Sequence, residues 1–500
     1  MPTFRLMPIW AVVGALSGGL LAYSQTIAFY GDEGFHLLAA QLANAGKRPN
    51  LDFFYQHVPL YPYLTAWWFR AFGQGWRSAH LMSALCTGAA IWLAAGFVFA
   101  RVRDPRWRLP VAATAALLVG LNGLVIQYGT VGLPYGLCLV LMMAAFRLTI
   151  TAVHRERWWL SAGAGLCAGA AVTSSLLAAP VLPILFWWML RHHEVGDRGR
   201  KAIWFLVGTA IPFLPLLWLA AHGPRQTWFN IVEFHLFYRR QSLPETIWSD
   251  LRMLRSLWLE SPQGLFPALL AVVGVRFARD RTEWEPARRA ELALCTWLTM
   301  GLGVLAACAL PTYPSYFVLM IPFLSILASV GAYAIGSMVW RTDRPTRMVL
   351  LVVGLFVLGL AKPAYQMGKD LSVFLNRWTS RDDVAREVNR VTTKDGEVWA
   401  DEFIYVAAGR VPPPGLENFY PYDLRLLSAS DVPIKLVPQS QLDTWLGAGR
   451  FATVAIEVED PRIEALGLPR LYAGRTRVHG YEVFWNRVSP ASGNPLPAAP

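Results

Sequence analysis

Long apolar segments recur through the first 366 residues of this 500-residue chain, and short basic loops separate most of them. A helix needs about 20 apolar residues to cross a hydrocarbon core of about 30 Å, and fewer where neighbouring helices bury it. On this criterion the pattern predicts eleven membrane-spanning helices. They lie near residues 7–28, 78–100, 109–127, 134–152, 159–174, 176–191, 202–222, 264–279, 291–310, 315–339 and 346–366.

Two longer polar and aromatic loops, residues 29–77 and 223–262, interrupt the series of apolar segments. Within the first loop, residues 35–45 and 58–72 carry apolar side chains at helical spacing. We expect these two runs to form short helices that lie along the membrane surface. Asp32 precedes the first of them by a distance that suits an N-cap.

The last third of the chain changes to the pattern of a small soluble domain. A helix is predicted over residues 380–391, followed by short strands and a hairpin around His479 and Gly480. The predicted strands cover residues 397–400, 453–457, 471–477 and 481–485. The pair Asp401 and Glu402 follows the first strand and is predicted to lie in a solvated loop.

The predicted fold class is therefore an α-helical polytopic membrane protein with a small C-terminal α/β domain. Residues 1–366 form the membrane domain and residues 367–488 the soluble domain. Residues 489–500 are rich in Pro, Ala and Ser, so we expect a disordered tail.

The distribution of basic residues predicts the orientation of the chain. With the N-terminus inside, the short inner loops hold 18 Lys or Arg in 48 residues, against 9 in 89 for the two long outer loops. Basic loops face the cytoplasm, so this bias supports the assignment. The first apolar segment follows Arg5 and has no small-residue cleavage motif, which indicates an uncleaved span. An odd number of spans then puts the C-terminal domain in the periplasm of a bacterial inner-membrane protein.

Composition agrees with a membrane protein. The chain is 55% hydrophobic, its mean hydropathy is +0.36, and its 22 tryptophans suit interfacial belts. The net charge of +12 falls mostly in short loops, so we predict no nucleic-acid partner. The five cysteines all lie in apolar segments without metal-ligand spacing, and the inner loops are too short for a nucleotide-binding domain.

Asp32 and Glu33 are the first candidates for chemistry, because ionisable groups at the edge of a membrane are costly to desolvate. A carboxylate there could act as general base toward an acceptor hydroxyl, and partial desolvation is expected to raise its pKa. We rank Asp32 first and Glu33 second. The alternative is that Asp32 only caps a helix and Glu33 is an ordinary first-turn acid, and the two roles are compatible.

Four motifs carry a resemblance to a known superfamily. One span, an Asp-Glu-Gly run, a short helix, a Gly-x-x-Pro turn and an aromatic Pro-Leu-x-Pro-Tyr-Leu run precede the second span. The chain thus resembles the GT-C glycosyltransferases, and within them the bacterial branch like protein-O-mannosyltransferases and aminoarabinose transferases. The matching residues are 31–34, 46–49, 58–64 and 316–322.

The resemblance implies inverting transfer of a sugar from a polyprenyl-phosphate-linked donor to an acceptor hydroxyl at the periplasmic face. Negative charge then grows on the departing lipid phosphate, and cationic groups should lie near it. Arg239 and Arg240 in the second outer loop are candidates, with His235 beside them. The alternative is that these arginines contact anionic lipid headgroups.

Three further residues are candidates for binding the donor phosphate or sugar. His57 precedes the Pro-Leu run, Tyr61 lies within it, and Tyr316 stands at the outer start of a predicted span. Related sequences carry a basic residue directly before that tyrosine, whereas Ser315 stands here. The alternatives are a hydrogen-bonded loop histidine for His57 and an aromatic-belt tyrosine for Tyr316.

We predict no resident metal or cofactor, although a divalent cation bound by loop 29–77 remains an alternative. The expected partners are the lipid-linked sugar, membrane lipids, and a glycan, glycolipid or protein acceptor. The rival functions are a transporter or flippase of a lipid-linked substrate, and a non-catalytic relative that binds polyprenyl phosphate. The sequence does not identify the sugar, the acceptor, the length of the lipid or the oligomeric state.

Overall fold

Helices form most of the backbone in the computed structural model, which describes residues 7–26, 31–155, 157–192, 198–238, 243–280, 286–339, 345–418 and 432–488. The helices of the first 339 residues are α1 (Met7–Thr26), α2 (Glu33–Asn44), α3 (Leu60–Phe72), α4 (Trp76–Arg101), α5 (Pro105–Gly120), α6 (Gly123–Tyr128), α7 (Tyr135–His154), α8 (Trp158–Ser174), α9 (Val181–His192), α10 (Arg198–His222), α11 (Pro224–Trp228), α12 (Leu243–Arg255), α13 (Pro262–Asp280), α14 (Pro286–Cys308) and α15 (Ile321–Val339).

The remaining helices are α16 (Pro345–Val391), α17 (Glu402–Ala408), α18 (Gln439–Gly447), α19 (Arg462–Ala465) and α20 (Leu468–Leu471). Shorter turns of 3₁₀ helix cover Leu176–Ala178 and Pro314–Met320, and π-helical turns cover Phe229–Tyr238 and Ser256–Glu260.

Five helical segments in the described residues are long and apolar enough to cross a membrane. A sixth candidate consists of Leu243–Glu260 and Pro262–Arg279, which meet at an angle of 68°. The five are Trp76–Arg101, Tyr135–His154, Arg198–His222, Arg288–Cys308 and Pro314–Val339. The predicted polytopic helical fold is thus confirmed, while the full count of eleven spans stays a prediction.

Helices nevertheless cover most of the described residues in each of the eleven predicted apolar segments. Two of these helices are short for a membrane span: α5 has 16 residues and contains Pro110, and α9 has 12 residues. The chain breaks between the predicted segments 159–174 and 176–191, because α8 ends at Ser174 and a 3₁₀ turn leads into α9.

The C-terminal part contains one four-stranded sheet in the order β1-β2-β4-β3. Its strands are β1 (Val398–Trp399), β2 (Thr453–Glu457), β3 (Tyr472–Val478) and β4 (Tyr481–Arg487). β1 runs parallel to β2, and β4 runs antiparallel to both β2 and β3. Val478 pairs with Tyr481, so the predicted hairpin turns at His479 and Gly480.

One continuous helix, α16, connects the apolar helices to this sheet domain. It spans 47 residues and passes through residues 366 and 367, where the sequence suggested a domain boundary. Its last turns pack against β2, β3, β4 and α17, so the helix belongs to both parts. The positions of the domain boundaries therefore stay predictions.

The first loop helix is more enclosed than a helix at a membrane surface needs to be. Eleven of the 12 residues of α2 are buried, because α3 covers one side of the helix and α17 another. The second helix, α3, is more open, since Trp67 and Phe72 are 73% and 59% exposed. The orientation of both helices along the membrane surface stays a prediction.

Candidate active site

The two consecutive carboxylates at the start of α2 lie in opposite environments. Asp32 takes the N-cap position, as predicted, but its side chain makes no capping hydrogen bond. Asp32 is half-buried, whereas the side chain of Glu33 has no solvent exposure. The two acids can therefore play different chemical roles.

Glu33 receives hydrogen bonds from residues that are far away in the sequence. The backbone N–H of Gly132 donates to its Oε1 at 2.8 Å, and the indole N–H of Trp378 donates to its Oε2 at 3.4 Å. Nε2 of His80 is the third partner, and it also contacts Oε1. These contacts join the head of α2 to α4, to the turn before α7 and to α16.

The other ring nitrogen of His80 also has a hydrogen-bond partner. Nδ1 lies 2.7 Å from the carbonyl oxygen of Ser24, which can only accept, so Nδ1 carries hydrogen. The backbone N–H of Gly132 and the indole N–H of Trp378 face different oxygens of Glu33. Both oxygens of Glu33 are thus engaged, which favours a positioning role and leaves Asp32 as the first candidate base.

A second side of α2 is covered by the sheet domain. A Cβ atom on Gly34 would lie 2.5 Å from Cγ of Glu402 and 2.7 Å from Cζ of Phe403, so glycine permits this close approach. The predicted solvated loop at Asp401 and Glu402 is wrong. Asp401 caps α17 by accepting from the N–H of Ile404 at 2.9 Å, and Glu402 is buried against α2.

The third side of α2 carries Asp32 together with Phe35 and His36. Residues three and four positions apart share a helix face, so both rings follow Asp32 by one turn. His36 is buried, its Nδ1 lies 2.9 Å from the hydroxyl of Tyr55, and its ring centroid lies 4.9 Å from that of His57. Burial lowers the pKa of His36 to about 3, so this ring is neutral at physiological pH.

His57 and His235, both predicted from the sequence, meet at this side of α2. The ring of His57 stacks on Phe35 with an interplanar angle of 3°, and its centroid lies 6.0 Å from that of His235. Nε2 of His235 donates to the carbonyl oxygen of Gln56 at 2.6 Å. The side chain of Asn230 also accepts from the backbone N–H of Tyr55 at 2.8 Å, so the two outer loops are fastened together.

Tyr61 is the third predicted residue of this cluster. Its ring stands edge-on to His36 at 5.5 Å between centroids, and the side chain is completely buried. Burial raises the pKa of the Tyr61 hydroxyl above its usual value. Within the described residues this hydroxyl has no hydrogen bond of standard geometry, although those of Thr65 and Ser83 are near it.

Tyr316 directly follows Ser315, which contacts the start of α7. It belongs to the 3₁₀ turn Pro314–Met320, and its ring packs edge-on to Tyr313 at 5.5 Å between centroids. The neighbouring Ser315 accepts from the hydroxyl of Tyr135 at 3.3 Å, and α7 begins at Tyr135 directly after the turn that binds Glu33. Arg239 and Arg240 lie outside the described residues, so their predicted role stays a prediction.

Two cavities open on either side of this 3₁₀ turn. A mostly apolar cavity of about 830 Å³ lies between α12, α13, α14 and α15, and Phe317 and Met320 line it. A polar pocket of about 800 Å³ lies next to it, and Arg252, Arg255 and Pro314 contribute to its wall. Arg255 lines both cavities, so an apolar chain and a charged headgroup could be bound side by side.

The acidic and histidine side chains of loop 29–77 do not converge on one point. Asp52 pairs with Arg48 at 2.6 Å, and Arg48 lowers the pKa of that carboxyl, whereas Glu33 pairs with His80. Across the described ranges, no group of three or more His, Cys, Asp or Glu residues is arranged to hold a metal ion.

Sequence analysis missed His36, Tyr55, Arg252 and Arg255 as parts of the site. A signal for His36 was available, because it stands four residues after Asp32 in a run with helical spacing. The two arginines were counted only toward the charge of the second outer loop. Their position beside the 3₁₀ turn depends on the angle between α12 and α13, which local pattern does not encode.

The fold is similar to those of three solved structures. ArnT from Cupriavidus metallidurans, an aminoarabinose transferase, bound to undecaprenyl phosphate, superposes with a TM-score of 0.65 at 16% identity, over 99% of this chain and 100% of that one. Its apo state gives 0.61 at 17% identity, over 96% and 98%. An oligosaccharyltransferase from Archaeoglobus fulgidus gives 0.52 at 12% identity, over 93% and 72%.

These neighbours are GT-C glycosyltransferases, so the resemblance that the sequence motifs indicate is confirmed at the level of the fold. No protein-family model matches the sequence, and no curated protein matches it significantly.

Proposed function

We propose that this membrane protein transfers a sugar from a polyprenyl-phosphate-linked donor to an acceptor hydroxyl, with inversion at the anomeric carbon. The observation that carries the proposal is the difference in environment between the two acids at the start of α2. Glu33 is buried and held by three donors, while Asp32 keeps partial exposure beside a cluster of histidine and tyrosine rings. One carboxylate positions the loop, and the other remains exposed enough to meet a substrate.

In the proposed reaction, the carboxylate of Asp32 takes the proton of the acceptor hydroxyl as its oxygen attacks the anomeric carbon. The bond between that carbon and the phosphate oxygen breaks, and its electron pair leaves with the polyprenyl phosphate. Attack from the side opposite the leaving group inverts the anomeric configuration. The donor needs no nucleotide, which suits a site at the periplasmic face.

The two cavities support a lipid-linked donor. The apolar cavity suits part of an isoprenoid chain, and the adjoining polar pocket suits its phosphate. Arg255 pairs with Glu260 at 2.8 Å, whereas Arg252 has no ion-pair partner among the residues that the structure describes. A neighbouring fold that binds undecaprenyl phosphate strengthens this assignment. We propose Arg252 as an additional contact for the leaving phosphate, beside the predicted Arg239, Arg240 and Tyr316.

Contacts between the loop and the sheet domain support the proposed orientation. The packing of α17 against α2 supports a location of the sheet domain and Asp32 on one side of the membrane. The chain must then cross the membrane an even number of times between them, which ten of the eleven predicted spans satisfy. With the bias of basic residues, this favours a periplasmic location for residues 29–77 and for the proposed soluble domain, residues 367–488.

Release of free polyprenyl phosphate tests the proposal. Membranes from cells that lack the protein supply both the donor and the acceptor, and ³²P-labelled polyprenyl-phosphate sugars can be followed by thin-layer chromatography. Added wild-type protein should release labelled polyprenyl phosphate, and Asp32→Asn should slow this release by about 100-fold or more, because general base catalysis contributes about 10²–10⁴.

Asp104→Asn is the matched control, since Asp104 is also an N-cap residue but begins α5 at the opposite end of α4. It should release lipid phosphate at the wild-type rate. Movement of the labelled sugar across the membrane without release would favour the transporter, and binding without release would favour a non-catalytic relative.

A further inference from the structure

The mostly apolar cavity forms a groove between α13 and α14 that has arginines at both of its ends. Residues 268–279 of α13 and residues 296–307 of α14 follow its length. At a rise of about 1.5 Å per residue, each stretch covers about 16 Å, which is about half of the hydrocarbon thickness. Arg255 stands at the end next to the polar pocket, and Arg276 and Arg279 stand at the opposite end.

A smaller pocket adjoins the groove at the end that Arg276 and Arg279 line. Its volume is about 250 Å³, and Arg279, Arg289 and Trp297 contribute to its wall. The residues that line both spaces are Val275, Arg279, Thr296 and Met300. An apolar space therefore leads directly into a basic one.

The two arginines of this smaller pocket are exposed and lack a carboxylate partner. Neither Arg279 nor Arg289 forms an ion pair with any residue that the structure describes. Glu291, one turn into α14, is buried and pairs with Arg101 at 2.5 Å, so its charge is engaged elsewhere. Two positive charges at the mouth of an apolar groove can thus be balanced by a bound anion.

The groove opens sideways, toward the space that lipid occupies around a membrane helix. α13 is packed closely on α15, where a Cβ atom on Gly331 would lie 1.8 Å from the carbonyl oxygen of Leu270. Toward α14 the packing is more open, and Val272, Trp297 and Met300 are 67%, 64% and 57% exposed. α14 is apolar and long enough to cross a membrane, so a chain that enters this groove comes from the bilayer.

The combination of charges and apolar wall fits an anionic phospholipid. Basic pockets between membrane helices on the cytoplasmic side bind anionic headgroups, and the predicted orientation places the end of α13 and the start of α14 on that side. Guanidinium groups form strong hydrogen bonds with phosphate oxygens. A free phosphate would leave the groove empty, and a phospholipid without net charge would leave the arginines unbalanced.

We propose that Arg279 and Arg289 bind the headgroup of an anionic phospholipid from the cytoplasmic leaflet, with an acyl chain in the groove between α13 and α14. The headgroup site lies at the opposite end of the groove from Arg255. It uses none of the residues assigned to the leaving phosphate and does not depend on sugar transfer. Two lipids from opposite leaflets then enter one groove from its two ends.

Native mass spectrometry of the purified protein in detergent tests the site by counting bound lipids. Phosphatidylglycerol and phosphatidylcholine with the same acyl chains are the probes. Wild type should bind one phosphatidylglycerol about tenfold more tightly than phosphatidylcholine, and Arg279→Gln with Arg289→Gln should abolish that preference. The single Arg279→Gln variant should lose part of it, which keeps the test open if the double variant folds poorly.

Arg191→Gln with Arg200→Gln is the matched control. It removes the same charge from exposed arginines on the same predicted face, and neither residue lines the groove or the smaller pocket. This variant should keep the wild-type preference for phosphatidylglycerol. An equal loss in both double variants would indicate general attraction to a basic face and would overturn the site, as would an unchanged preference in Arg279→Gln with Arg289→Gln.

Competition identifies the occupant. Glycerol phosphate carries the charge without acyl chains, and at about 100-fold excess it should not displace phosphatidylglycerol, because the groove supplies the apolar part of the affinity. Displacement would show a site for free phosphate and contradict the proposal. Undecaprenyl phosphate that binds more tightly than phosphatidylglycerol, and only while Arg279 and Arg289 are present, would assign the pocket to the donor lipid and also contradict it.

Discussion

Replacing Glu33 tests whether one buried carboxylate holds the start of α2 against the apolar helices. Glu33→Leu removes the acceptor for three donors, the imidazole of His80, the backbone N–H of Gly132 and the indole N–H of Trp378. Glu33→Gln keeps one acceptor oxygen. Because Gly132 and Trp378 face different oxygens, the new amide N–H₂ must point at one of these two donors.

The contacts give an expected magnitude for each variant. Leaving one buried donor unsatisfied costs about 1–3 kcal/mol, which is the expected loss for Glu33→Gln. Glu33→Leu leaves all three buried partners of the carboxylate without it, and we expect a larger loss of about 3–5 kcal/mol. In a Glu33→Leu and His80→Leu cycle, the double variant should lose less than the sum of the single losses, by about 1 kcal/mol or more.

Equilibrium unfolding of the purified protein in mixed micelles, followed by tryptophan fluorescence, measures these losses. Trp378 and Trp76 stack at 5.3 Å between ring centroids, so the signal includes the site itself. The reasoning is refuted if Glu33→Leu unfolds within about 0.5 kcal/mol of wild type, or if the glutamine and leucine variants lose equal stability.

Three further variants test other parts of the account. Gly34→Ala would place its Cβ 2.5 Å from a side-chain carbon of α17 and should cost about 1–3 kcal/mol in unfolding experiments, whereas Gly31→Ala, with no atom within 4 Å, should cost little. Burial raises the pKa of Glu417 and Lys47 opposes that shift, so the folded state favours the protonated carboxyl, and the stability it contributes at low pH is lost as pH rises through the folded pKa. Lys47→Gln should therefore lower the unfolding midpoint at pH 7 and leave it unchanged below about pH 4; a uniform drop would contradict this. Tyr61→Phe should keep wild-type stability, because the hydroxyl lacks a partner in the described structure, yet raise the KM for the donor about tenfold; unchanged kinetics would remove Tyr61 from the site.

Local pattern predicts much of this fold because hydrophobic period and turn residues are local properties. Helical residues lie in each predicted apolar run, although the count of eleven spans stays a prediction, and the alternation around His479 and Gly480 predicts the hairpin. The N-cap position of Asp32 also follows from local spacing. Helix length follows less directly from local pattern, because α5 ends at Gly120 and α9 begins only at Val181.

The environment of the site depends on contacts that no local pattern contains. Glu33 meets His80 47 residues later in the chain and Trp378 345 residues later. The burial of α2 follows from the approach of α17 to Gly34, which the sequence shows only as a glycine after two acids. The sequence therefore predicts the acidic pair, and the structure is needed to distinguish the buried Glu33 from the half-buried Asp32.

The central claim is that Asp32 is the general base of a sugar transfer. Its most direct test is the pH dependence of polyprenyl phosphate release by wild type, Asp32→Asn and the matched Asp104→Asn. The account predicts that wild type and Asp104→Asn share a rate that falls as acid protonates the base, and that the slow residual rate of Asp32→Asn lacks this acid limb. An unchanged acid limb in Asp32→Asn, or a wild-type rate in that variant, would contradict the claim.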